Sequence, residues 1–138
     1  MKETHAILLV EDNPADIQIT RRALRDSNLP VELIVVRDGQ EAIDYLLRQG
    51  SHSANVNWRK PDLILLDVVM PDMDGMETCR LLRAMDATKL TPIIMVTTRG
   101  EEKTKVSAHI NGATDFVTKP INQKELVDKI TRHLGVRA

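Results

Sequence analysis

Five short apolar runs punctuate this 138-residue chain: Ala6 to Val10, Val31 to Val36, Leu63 to Leu66, Ile93 to Val96 and a weaker one at Phe116 to Val117. The first four lack the polar alternation of a half-solvated strand. Strands of that kind are covered on both faces, a pattern that belongs to parallel sheets flanked by helices. The stretches between them repeat apolar residues every three or four positions. Strand and helix therefore alternate five times with short connections, which predicts right-handed crossovers and an α/β, doubly wound parallel sheet.

The helices carry their own punctuation. Asn13 is placed to cap the first, Pro14 opens it, Asp16 sits near the positive end of its dipole, and Ile17 and Leu24 mark its inner face. The second carries Ala42, Ile43, Leu46 and Leu47, and the third Met76, Cys79 and Leu82. A fourth, sparser pattern covers about 101–110 with Val106 and Ile110 inward. The final helix has Leu126, Val127, Ile130 and Leu134 in one stripe, beginning after Asn122 and ending at Gly135. The polar tract from Gly50 to Pro61, with Trp58 inside it, reads as an extended surface loop. We expect one domain over 1–138 with its core at about 6–134.

Composition narrows the function. Nineteen Lys and Arg against 20 Asp and Glu give a net charge of -1, so the chain has no general attraction for nucleic acid. Three aromatics, Tyr45, Trp58 and Phe116, are too few for a base-stacking platform. The lone Cys79 forms no intrachain disulfide and reads as a small core residue, and no signal peptide or membrane span is visible, so a cytoplasmic location is expected. Phosphate-cradling GxxxxGK and GxGxxG loops are absent, and His5, His52, His109 and His133 are scattered.

Open parallel sheets bind ligands outside the carboxyl ends of their strands. The first run ends in Glu11 and Asp12, the third in Asp67, the fourth in Thr97, and the fifth is followed by Lys119 and Pro120. Crowded carboxylates raise one another's pKa unless a cation intervenes. An all-oxygen ligand set favours a hard ion that keeps several waters, Mg²⁺ above Zn²⁺. A metal beside a carboxylate, a hydroxyl and a Lys suits phosphoryl transfer, with Asp67 as nucleophile, Thr97 bonding one phosphoryl oxygen and Lys119 pairing with another. Each residue alone has a plainer reading: Asp12 as a turn residue, Thr97 as a β-branched strand residue, Lys119 as an exposed cation. Four strand ends of one sheet carrying compatible chemistry together outweigh them.

As a set, Glu11 and Asp12, Asp67 followed by Met70, Pro71, Asp74 and Gly75, then Thr97, then Lys119 and Pro120 resemble the receiver domain of two-component response regulators, over about 6–134. The resemblance implies a flavodoxin-like (βα)5 fold of strand order 2-1-3-4-5. It further implies that Asp67 accepts a phosphoryl group from a sensor or hybrid histidine kinase, that Glu11, Asp12, Asp67 and the backbone carbonyl of Val69 hold Mg²⁺, and that the bond before Pro120 is cis. Thr97 and Phe116 would form the switch, read out on the face of the fourth helix, fifth strand and fifth helix, where a homodimer or an unknown downstream protein would bind. Thr98 stands where many receivers have Ala or Gly. The loop at Gly50 to Pro61 looks like that of stand-alone regulators paired with phytochrome-type or hybrid kinases. On this reading the chain is a single-domain regulator rather than a turnover enzyme, inserts in no membrane and binds no nucleic acid directly. Two alternatives are a receiver-like module that binds without phosphorylation, and a haloacid dehalogenase-like phosphatase using Asp72, Met73, Asp74 and Gly75.

Overall fold

The computed structural model describes residues 4–48, 58–67, 75–98 and 112–135. Five strands, β1 (His5–Val10), β2 (Val31–Val36), β3 (Leu63–Asp67), β4 (Ile93–Thr98) and β5 (Asp115–Lys119), form one parallel sheet in the order β2-β1-β3-β4-β5. Around it pack α1 (Pro14–Ser27), α2 (Gly39–Leu47), α3 (Gly75–Ala84) and α4 (Gln123–Leu134). The sheet is the one expected for a (βα)5 flavodoxin-like fold. The expected helix at 101–110 lies outside the described residues.

Successive strand residues point to opposite faces, and the sequence exploits this to build two cores. Leu8, Val10, Ile64, Leu66, Ile93 and Met95 face α2 and α3, where Ala42, Tyr45, Leu46, Cys79 and Leu82 meet them. Ile7, Leu9, Leu63, Leu65, Ile94 and Val117 face α1 and α4, against Ile17, Ala23, Leu24, Leu126 and Ile130. Ala6 to Val10 of β1 and Leu63 to Leu66 of β3 are uninterruptedly apolar because both faces of these strands are covered.

The helix ends follow their capping residues. Asn13 Oδ1 accepts from the N–H groups of Ala15 and Asp16, Asp38 caps α2 through Glu41 N–H, and Asn122 caps α4 through Glu125 N–H. Gly135 closes α4 in the left-handed conformation at φ 71°.

Three local expectations need correction. Lys119 is the last residue of its strand rather than a residue beyond it, because backbone pairing with β4 continues to it. Leu47 is half-exposed, since α2 ends there and Arg48 turns left-handed at φ 55°. The end of the Gly50 to Pro61 tract is no open surface loop: Trp58 stacks on Tyr45 with centroids 5.7 Å apart, its Nε1–H donates to Tyr45 O at 2.6 Å, and the Arg48 guanidinium lies 5.1 Å from its ring centroid. Residues 50–57 of that tract lie outside the described ones.

A candidate phosphoryl-acceptor site at the strand ends

The sheet order brings the carboxyl ends of β1, β3, β4 and β5 side by side, and Glu11, Asp12, Asp67, Thr97 and Lys119 stand there. Glu11 extends the first strand by one rung, its N–H donating to Val36 O at 3.0 Å, and its side chain is buried. Asp67 is nearly as buried, whereas Asp12 faces solvent. One carboxylate oxygen from each of Glu11, Asp12 and Asp67 lies within 4.8 Å of the other two.

Burial and the neighbouring Asp67 push the Glu11 carboxyl up to about 7, against partial relief from Lys119 and the Asn13 N–H. The groups present fit a hard divalent cation: three convergent carboxylates, one of them held against its preference to ionise, with oxygen donors alone. Val69, whose carbonyl the sequence nominates as a further ligand, lies outside the described residues, as do Met70, Pro71 and Asp72 to Asp74.

Lys119 reaches into this cluster from β5. Its Nζ lies 3.2 Å from Glu11 Oε1, 3.5 Å from Asp67 Oδ2 and 2.9 Å from Asp16 Oδ2. Burial pulls the ammonium pKa down, but the bond to Asp16 and the charges of Asp67 and Glu11 more than reverse that, so the lysine is held charged. The Lys119–Pro120 peptide is cis. Asp16 is the neighbour that sequence reading assigned only to the helix dipole.

Thr97 follows the residue of β4 that pairs with Asp67, and its hydroxyl is buried with no hydrogen-bond partner among the described residues. Phe116, two residues earlier on β5 than Thr118, which pairs with Thr97, is half-buried against the α2 and α3 core. At the start of the same strand, Asp115 is gripped by His133 at 2.9 Å and Lys129 at 3.3 Å, and Lys129 also donates to Phe116 O, so α4 is tied to β5 by charge as well as by its apolar stripe.

Residues 7–131 match the family model described as the response regulator receiver domain. The chain belongs to the response regulator receiver domain family. This receiver is 34% identical to the response regulator Rcp1 of Synechocystis, over 87% of its own length and 80% of that protein's. It is 36% identical to the transcriptional regulatory protein TrcR of Mycobacterium tuberculosis over 90% of its length, but spans only 43% of TrcR. Among solved structures, the phosphorylated cyanobacterial phytochrome response regulator RcpA superposes with a TM-score of 0.83 at 32% identity, covering 99% of this receiver and 97% of that chain. The Mn²⁺-bound form of Rcp1 superposes with a TM-score of 0.78 at 32% identity, covering 93% and 90%. The family model and these relatives place the chain among receiver-domain response regulators. Among the described residues no helix is long and apolar enough to cross a membrane.

Proposed function

We propose that Asp67 is the phosphoryl acceptor of a response regulator whose output is contact with another protein. The observation that carries this reading is the orphaned Thr97 hydroxyl. A buried hydroxyl without a partner costs on the order of 1–3 kcal/mol, and such costs are retained where a ligand supplies the missing bond. An oxygen-rich group on Asp67 is that ligand.

In the proposed reaction an Asp67 carboxylate oxygen attacks phosphorus in line, forming the acyl phosphate bond as the bond to the donor histidine nitrogen, or to a small donor's oxygen, breaks. The donor leaves with the bonding electrons. Lys119, already 3.5 Å from Asp67 Oδ2, pairs with one phosphoryl oxygen as a compact cation, and the Thr97 hydroxyl donates to another. Glu11, Asp12 and Asp67, together with the Val69 carbonyl, would hold Mg²⁺, which supplies charge neutralisation at the transferring group. The motion of Thr97 toward the phosphoryl group would draw Phe116 after it and alter the face built by the predicted fourth helix, β5 and α4. That face is the proposed surface for a downstream protein or a second copy, with a sensor or hybrid histidine kinase as donor and a cytoplasmic setting.

The test incubates the protein with Mg²⁺ and acetyl phosphate and follows intact mass. One added phosphoryl group that Asp67→Asn fails to take up supports the assignment; equal uptake by that variant removes Asp67 from it.

A further inference from the structure

Asp16 is the third residue of α1, the position from which an acidic side chain ordinarily folds back onto the N–H of the capping residue. Here that N–H, of Asn13, is directed at Glu11 Oε2 at 3.3 Å instead. The Asp16 backbone is meanwhile fixed from both sides: its N–H donates to Asn13 Oδ1 at 3.2 Å, and its carbonyl accepts from Thr20 Oγ1 at 2.9 Å. Its carboxylate, largely shielded from solvent, makes the shortest of the three Lys119 ion pairs, 2.9 Å against 3.2 and 3.5 Å.

An ammonium lodged wholly between Glu11 and Asp67 would neutralise them and exclude a divalent cation from the same carboxylates. Asp16 stands outside the set of three oxygens that converge within 4.8 Å, so a lysine held by Asp16 is drawn to the rim of that set. We propose that Asp16 is a positioning residue for Lys119: it anchors the ammonium on the α1 side of the site, leaving the space between Glu11, Asp12 and Asp67 to the cation while keeping Lys119 within reach of a phosphoryl group. This rests on the phosphoryl-acceptor reading above.

A charge on the first turn of a helix also acts through space, so the test must isolate the route through Lys119. Mg²⁺ affinity is measured by isothermal titration calorimetry for the wild type, Asp16→Asn, Lys119→Ala and the double variant. Asp16→Asn should weaken Mg²⁺ binding about fivefold when Lys119 is present and less than about twofold in the Lys119→Ala background, where no ammonium is left to relocate. Lys119→Ala alone should tighten Mg²⁺ binding. An equal factor in both backgrounds, or no change in either, overturns the proposal. If wild type binds Mg²⁺ and phosphorylates on Asp67 while the cycle is additive, only the role of Asp16 fails; if wild type binds no Mg²⁺ and takes up no phosphoryl group, both readings fail.

Discussion

Lys119 Nζ lies 3.2 Å from Glu11 Oε1, joining the end of the last strand to an acid that the fold almost seals from water. The pairing is too weak to offset burial and Asp67, which hold the Glu11 carboxyl at about 7. A carboxyl whose folded pKa exceeds its unfolded value of 4.5 binds its proton more tightly in the native state. Stability is therefore greatest below the unfolded value and falls as pH rises from about 4.5 to about 7. Thermal unfolding of the metal-free protein should show this loss, at most about 3 kcal/mol. Glu11→Gln should flatten the profile, and a divalent cation should restore stability at pH 7.5.

Thr97→Val keeps the shape of the side chain and deletes the unpartnered hydroxyl. The unphosphorylated protein should be as stable as wild type or up to about 1 kcal/mol more stable. The same variant should still accept a phosphoryl group on Asp67, with the response at Phe116 lost. Chemical denaturation measures the first effect, and amide chemical shifts along β5 with and without acetyl phosphate measure the second.

Arg83 ties α3 to two separate loops. Its Nε–H donates to Gly112 O at 2.7 Å, Nη1 reaches Thr88 O at 3.1 Å and Thr91 O at 2.6 Å, and Nη2 donates to Thr114 Oγ1 at 3.0 Å. Gly112 lies against it with φ 102°, where an added Cβ would come 2.6 Å from Arg83 Cγ. Arg83→Ala should cost about 2–3 kcal/mol in urea unfolding, by stranding several carbonyl groups at once. Gly112→Ala should cost about 1–3 kcal/mol through backbone strain and displacement of that guanidinium.

Tyr45 is the hub of the packing around Trp58: its hydroxyl donates to Arg59 O at 2.8 Å and accepts from Arg59 N–H at 3.3 Å. Tyr45→Phe should lower stability by about 1 kcal/mol while leaving the ring stack intact. Denaturation followed by Trp58 fluorescence reads both, through the midpoint and through an unchanged native emission maximum.

What the sequence made legible is what depends on residue type at a fixed place along the chain. Two-sided apolar runs reported both faces of β1 and β3, and Asn13, Asn122 and Gly135 marked helix ends because a cap acts within a few residues. Glu11, Asp12, Asp67, Thr97 and Lys119 could be gathered because they fall at or just past the carboxyl ends of apolar runs, and the strand order implied by the family resemblance is the one the sheet shows. Asp16 could not, because an acid on a first helical turn has a sufficient local explanation; only the occupancy of the Asn13 N–H by Glu11 reveals that its carboxylate serves elsewhere. Arg83 was silent for a related reason. Most of its acceptors are backbone carbonyls, of the segment just after α3 and of Gly112, which carry no residue-specific signal. Trp58 was misplaced because a single aromatic in a polar tract gives no periodicity, and its partner Tyr45, 13 residues earlier on α2, is related to it by no helical or strand spacing.

The most direct test of the account is chemical mapping of the phosphorylated residue. After incubation with Mg²⁺ and acetyl phosphate, borohydride reduction converts an aspartyl phosphate to homoserine, which tandem mass spectrometry locates. Homoserine at position 67, absent when Mg²⁺ is chelated, is the predicted result; reduction at another carboxylate, or none in protein that binds Mg²⁺, would contradict it.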